Sequence, residues 1–191
     1  MGRILVVGGS GFIGSHVVRC ALQKRFDVEV MDKKGNKLPV KTTIVDIRRK
    51  SVQSLDLSRF DLVIIESACT SQLEFERRSS PSFETNVDGT FNILEACKHS
   101  KVPKILFASS SAVYGNTLHK TSEDSPLDPR NMYAVSKVIG EQLVRQYVHK
   151  GYFDAVIVRY FNTYGVGENS KGDYKSIISI FLMRRVRWSN N

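Results

Sequence analysis

The sequence predicts an α/β protein whose parallel sheet is doubly wound, with helices on both faces in three layers, α/β/α. Three observations lead there. Short β-branched apolar runs alternate with longer stretches of helical periodicity. The apolar runs are nearly continuous rather than alternating, as expected of strands covered on both faces. A glycine-rich turn, Gly8-Gly9-Ser10-Gly11-Phe12-Ile13-Gly14, follows the first run directly and opens a helix.

The elements follow in order. Arg3–Val7, Val28–Met31, Thr42–Asp46, Asp61–Ile65, Lys104–Ala108 and Ala155–Tyr160 read as strands. Phe12–Arg25 reads as a helix, and so does Ser82–Ser100, with Phe83, Val87, Phe91, Leu94 and Cys97 on one stripe. Asn131–Lys150 is a third, with Val135, Val138, Ile139, Leu143 and Tyr147 along one face. The connections at 66–81 and 115–130 are long. In this architecture the loops at strand C-terminal ends are where ligands sit.

With 191 residues, 41% hydrophobic and 25% charged, the chain can bury a core without staples. No run approaches the roughly 20 apolar residues of a membrane span, and none reads as a signal-peptide core. Cys20, Cys69 and Cys97 are odd in number and widely spaced, so neither a disulfide framework nor a metal site is indicated. The four histidines lack ligand spacing as well. The expected compartment is the cytoplasm.

A net charge of +9 invites a nucleic-acid reading. Residues 1–50 carry 11 Lys/Arg against 4 Asp/Glu, residues 51–170 carry 12 against 14, and residues 171–191 carry 5 against 1. The basic residues near 33–50 alternate with loop residues and line no helical face. Solvated surface is the better reading, and such a field also suits an anionic small ligand.

The glycine turn carries the first chemistry. Gly8 permits the tight turn, Gly11 lets the backbone approach a pyrophosphate, and Gly14 lets helix and strand pack closely. The helix N-terminus adds free N–H groups and positive dipole. Asp32 follows at the end of the second strand, 18 residues past Gly14, placed to accept from adenosine ribose hydroxyls and to repel a 2′-phosphate. This favours NAD, although Lys33 and Lys34 lie close enough to tolerate the extra phosphate. Further on, Tyr133-Ala134-Val135-Ser136-Lys137 puts a phenol and an ammonium at i and i+4 on one helix face. A cation beside Tyr133, Lys137 or an oxidised nicotinamide, is expected to bring its pKa down from near 10 into the range of a general base.

With these motifs the chain resembles the extended short-chain dehydrogenase/reductase proteins, in particular the NAD-dependent nucleotide-sugar epimerases and dehydratases. The resemblance runs through the glycine turn, Asp46-Ile47, Asn86-Val87-Asp88-Gly89-Thr90, Ser109-Ser110-Ser111-Ala112-Val113-Tyr114-Gly115, Tyr133 to Lys137, and Arg159-Tyr160-Phe161-Asn162-Thr163-Tyr164-Gly165. It implies a Rossmann domain over residues 1–165 that holds NAD and the catalytic groups, and from 166 to 191 the start of a substrate lobe mostly lacking here. It further implies that Gly8, Gly11, Phe12, Ile13, Gly14, Asp32, Asp46, Ile47, Ala68, Asn86, Tyr133, Lys137 and Phe161 form the cofactor site. Asp46 and Ile47 would flank the adenine, and Phe161 the nicotinamide. The catalytic hydroxyl falls on Ser110, with Ser109 and Ser111 as register alternatives. Ser110 would hold a sugar hydroxyl and pass its proton to Tyr133, and Asn162 would contact the nucleotide-sugar.

Related dehydratases carry an Asp-Glu pair directly after the catalytic hydroxyl. Here those positions are Ser111 and Ala112, so epimerase chemistry on a UDP-sugar fits better than dehydration. A simple reductase of the same family, or an impaired NAD-binding module, is the alternative. Two features depart from the pattern. Glu66, in Ile65-Glu66-Ser67-Ala68, puts a carboxylate beside the expected cofactor, costly unless it faces solvent or a cation. And Ile177, Ile178, Ile180, Phe181 and Leu182, on an expected helix Tyr174–Arg187, form an apolar patch suited to core packing or to a homodimer surface.

Overall fold

A computed structural model gives the arrangement of residues 2–70, 72–117, 119–168 and 178–181. Six parallel strands form one sheet: β1 (Arg3–Val7), β2 (Asp27–Asp32), β3 (Thr42–Ile44), β4 (Leu62–Ile65), β5 (Lys104–Ser110) and β6 (Asp154–Tyr160). Their order is β3-β2-β1-β4-β5-β6, so the chain winds outward from β1 in both directions. That reversal opens a crevice above the C-terminal ends of β1 and β4. Helices α1 (Phe12–Gln23), α2 (Gln72–Arg77), α3 (Ser79–Asn86), α4 (Asp88–His99) and α5 (Met132–His149) make the outer layers. The larger core lies between the sheet and α4 and α5, built on Leu5, Val7, Val63, Ile65, Ile105, Phe107, Ile93 and Leu94. A smaller one, with Val6, Val18, Val28 and Val30, lies under α1.

The long connection at 66–81 is largely helical, because α2 and the start of α3 lie in it. The expected helix Ser82–Ser100 divides at Val87, where ψ is −63°. There the Thr90 hydroxyl donates to the Asn86 carbonyl at 2.7 Å, a side-chain bond that competes with the helical ladder. The division turns the buried face of α4 toward Ile93, Ala96 and Cys97 and leaves Phe91 exposed.

Helix α5 departs further from its periodicity. The buried positions are Ala134, Ser136, Lys137, Gly140, Glu141, Val144 and Tyr147, whereas Val135, Val138, Ile139 and Leu143 of the expected face are only half-buried. The helix therefore buries a lysine and a glutamate in preference to its own aliphatic stripe. Of the expected helix Tyr174–Arg187, residues 178–181 are helical with Ile178, Ile180 and Phe181 exposed; the rest, Ile177 and Leu182 included, lies outside the described residues.

Candidate cofactor and catalytic crevice

The glycine turn is shaped by what surrounds it. Gly8 has φ +87°, and a Cβ there would stand 2.5 Å from the Ser67 nitrogen. A Cβ on Gly14 would stand 2.3 Å from the Gly8 carbonyl oxygen, so α1 sits directly on the turn. Gly11 is different: it is exposed, and only the Gly8 oxygen, at 3.2 Å, lies near its Cβ position. Gly11 caps α1 and has no side chain to bond its first N–H groups, those of Phe12, Ile13 and Gly14. This open, donor-lined cradle fits the pyrophosphate of a dinucleotide.

Around the cradle the acids are already engaged. Asp32 is half-buried, and its two oxygens accept from the backbone N–H groups of Ser10 and Lys34, each at 3.0 Å. Each oxygen keeps a further lone pair for a ribose hydroxyl. Asp46 is gripped by Arg48 at 2.5 Å, and that hydrogen bond holds its carboxyl below the usual range. The Ile47 side chain is not at the crevice: it is 4% exposed and lies against Gly89, so only its backbone can meet an adenine. Phe12 is half-buried with its ring against His16, whose Nε2 lies 2.8 Å from the Val166 carbonyl oxygen.

The catalytic candidates meet at the C-terminal ends of β5 and β6. Strand alternation separates the serines. Ser109 points into the protein and donates to Glu141 at 2.6 Å, while Ser110 interacts with the Tyr133 hydroxyl. Ser111 starts a short 3-10 turn, where the Ser110 hydroxyl accepts from the Ala112 N–H. Asn131 caps α5 by accepting from the Ala134 N–H at 2.8 Å, which sets Tyr133 in the first turn. One turn later Lys137 is 5% exposed and donates to the Ala108 carbonyl at 2.8 Å.

The charge balance corrects one expectation. Tyr133 is pushed up, not down: burial dominates, Ser110 pulls the other way by hydrogen bonding, and Cys69 adds to the rise. Lys137 Nζ stands 6.0 Å from the Tyr133 ring centre and is itself depressed to about 8 by burial, with Glu66 opposing. Glu66 does not simply face solvent. Its Oε1 accepts from the Tyr160 hydroxyl at 2.7 Å, and burial raises its carboxyl while Tyr160 and Lys137 pull it back.

Asn86 plays a part that its sequence position did not reveal. It is 2% exposed, its Oδ1 accepts from the Cys69 N–H at 2.7 Å, and its Nδ2 donates to the Cys69 carbonyl at 3.0 Å and to Ser136 at 2.9 Å. With both amide hydrogens committed, it clasps the loop carrying Ala68 to α5 rather than touching a cofactor. Phe75 was also missed: α2 brings its buried ring to 6.1 Å from that of Tyr133. The network around buried Glu141 was missed too, where Arg159 donates twice at 2.8 Å and also reaches Tyr114 at 2.7 Å. Phe161 and Asn162 lie just past β6, both exposed, with Phe161 6.2 Å from the Tyr114 ring.

Comparison with known proteins agrees with this geometry. Residues 4–188 match the NAD-dependent epimerase/dehydratase family. A protein of Methanocaldococcus jannaschii, provisionally called a UDP-glucose 4-epimerase, is 34% identical over 96% of this chain and 63% of its own length. The UDP-glucose 4-epimerase of Thermus thermophilus, solved with NAD, superposes with a TM-score of 0.83 at 33% identity, over 90% of this chain and 58% of that one. That of Thermotoga maritima, solved with UDP-glucose, has a TM-score of 0.88 at 26% identity, over 97% of this chain and 63% of that one. The chain thus spans about 60% of the length of these relatives. The extent of the match, over nearly the whole chain, makes this chain a member of the NAD-dependent epimerase/dehydratase family.

Proposed function

We propose that the chain binds NAD and carries the catalytic centre of a 4-epimerase acting on a UDP-sugar. The observation that carries this reading is the meeting of Ser110, Tyr133 and Lys137 at the strand ends beside the open cradle at Gly11. Gly11, the α1 N-terminus and Asp32 would hold the dinucleotide, whose chemistry is to accept a hydride and return it. Ser110 would hold the sugar C4 hydroxyl, and Tyr133 Oη would take its proton as the carbon is oxidised and give it back on reduction. Lys137, fixed on the Ala108 carbonyl, would bond the ribose and supply positive charge at the phenol. Deprotonation of a phenol that burial has raised needs such charge, which Lys137 and a bound, oxidised nicotinamide would supply.

Ser111 and Ala112 occupy the positions where a dehydratase would need carboxylates, which supports epimerisation over dehydration. The titration of the protein with NAD and NADP, followed by incubation with UDP-glucose and assay for UDP-galactose, tests the reading. NAD should bind more tightly than NADP. Where turnover is seen, Tyr133→Phe should lower the chemical step by roughly two to four orders of magnitude. Ser110→Ala should cost more than Ser111→Ala. Binding without turnover would identify this stretch as the cofactor-holding part alone, since contacts remote from the reacting carbon also support its positioning. Failure to bind either dinucleotide would end the proposal.

A further inference from the structure

We propose that Glu66, anchored on Tyr160, is a positioning residue that biases the crevice toward the oxidised cofactor, setting the ratio of NAD+ to NADH affinity. The inference rests on the reading that the chain binds NAD. The Glu66 N–H donates to the Val7 carbonyl at 2.8 Å, which continues the pairing of β1 and β4 to the sheet rim, beside the Gly8 turn. Its carboxylate is held by Tyr160 at 2.7 Å, and Tyr160 is the β6 partner of Ser110 in the sheet register. Glu66 therefore sits in the same rim as the catalytic hydroxyl, at the end of the neighbouring strand.

The charged and titratable groups that act on this carboxylate come from two elements: Lys137 from α5 and Tyr160 from β6. A half-buried carboxylate is costly without a cation, and Lys137 is already shared with the Ala108 carbonyl. A second cation would complete the site. The oxidised nicotinamide is positive, and the reduced ring is neutral; adenosine and pyrophosphate are common to both. A fixed negative charge at this end therefore discriminates between the two forms and nothing else. At an effective dielectric of about 40, between that of a protein surface and bulk water, and a separation of about 6 Å, the expected bias is on the order of tenfold. In a reaction that borrows and returns a hydride, the bias favours the return.

The test is the dissociation constant of NAD+ and of NADH, measured by calorimetry and by NADH fluorescence, for the wild type, Glu66→Gln and Glu66→Asp. The NADH-to-NAD+ ratio of constants should fall on the order of tenfold in Glu66→Gln and stay close to wild type in Glu66→Asp, which keeps the charge. In the wild type the ratio should also rise with pH, over the range below about pH 8 where Lys137 keeps its proton, as the carboxyl that burial has raised ionises. That measurement needs no variant to fold. A Gln ratio within about twofold of wild type, or a wild-type ratio flat across that pH range, would overturn the inference while leaving NAD binding intact. If the wild type bound neither form, the NAD reading would fail first and Glu66 with it.

Discussion

The two sides of the crevice are built by different means. On the β1–α1 side, shape does the work: Gly8 and Gly14 remove Cβ atoms that would strike backbone, and the groups left uncapped at the α1 N-terminus are backbone N–H groups. On the β5–α5 side, charge does it. Lys137 and Glu141 are buried under α5 and held by Ala108, Arg159, Arg145 and Ser109. The first kind of site tolerates changes of pH but not of volume. The second is sensitive to both, because each buried charge depends on a partner far away in the chain.

The largest effect should come from the charged side. Glu141→Ala would leave Arg159 inside the protein without its carboxylate and free the Ser109 hydroxyl, costing about 3–5 kcal/mol. Chemical denaturation should show the loss, and Glu141→Gln should recover part of it. A loss under about 1 kcal/mol would mean that the network is not what holds this side together.

Lys137 sharpens the contrast through pH. Its folded pKa, about 8, lies below the ordinary 10.5, so the folded state gives up the proton first. Between about pH 8 and about pH 10 the unfolded chain binds more protons, and stability should therefore rise with pH. The cost of burying the ammonium is fully present below about pH 8. Its removal approaches on the order of 3 kcal/mol at the top of the window. Lys137→Met should lose this slope, read from denaturant midpoints across the range; an unchanged slope would assign it to other groups.

The smallest effects belong to the turn, and they separate shape from binding. Gly14→Ala forces a methyl against the Gly8 carbonyl and should cost about 1–3 kcal/mol, seen as a lower melting temperature. Gly11→Val, exposed and with only the Gly8 oxygen 3.2 Å from its Cβ position, should lower melting less than Gly14→Ala does yet weaken NAD binding. Equal destabilisation by the two would mean that the turn is not divided in this way.

How much could be read beforehand follows the same line. Strands, the turn and the Tyr133 and Lys137 spacing are local, and apolar runs and glycine spacing announce them. Helix α2 and the first turn of α3, within 66–81, escaped; α3 carries no apolar stripe to announce its start. The partners of Asn86, Glu66 and Glu141 escaped for another reason: Ser136, Tyr160 and Arg159 lie 50, 94 and 18 residues away, joined only when the sheet forms. Glu66 could be seen as out of place, but not what would receive it. The three serines at the end of β5 could be ordered only by seeing which face Ser109 turns to Glu141.

The position of β1 has a consequence for how the chain comes to be folded. It precedes the other five strands of the sheet in chain order and is one of the two at its centre, with Ile4 paired to Val28 on one side and to Leu62 on the other. While the chain is being synthesised, β1 and β2 can join early with α1 between them. The other edge of β1 then waits, apolar and unpaired, until β4 has left the ribosome. At a synthesis rate of roughly 5–20 residues per second that wait lasts seconds, long compared with the microseconds in which a chain collapses. The interval in which this protein is most exposed to wrong partners is therefore set by the order of its strands, before any of the crevice exists.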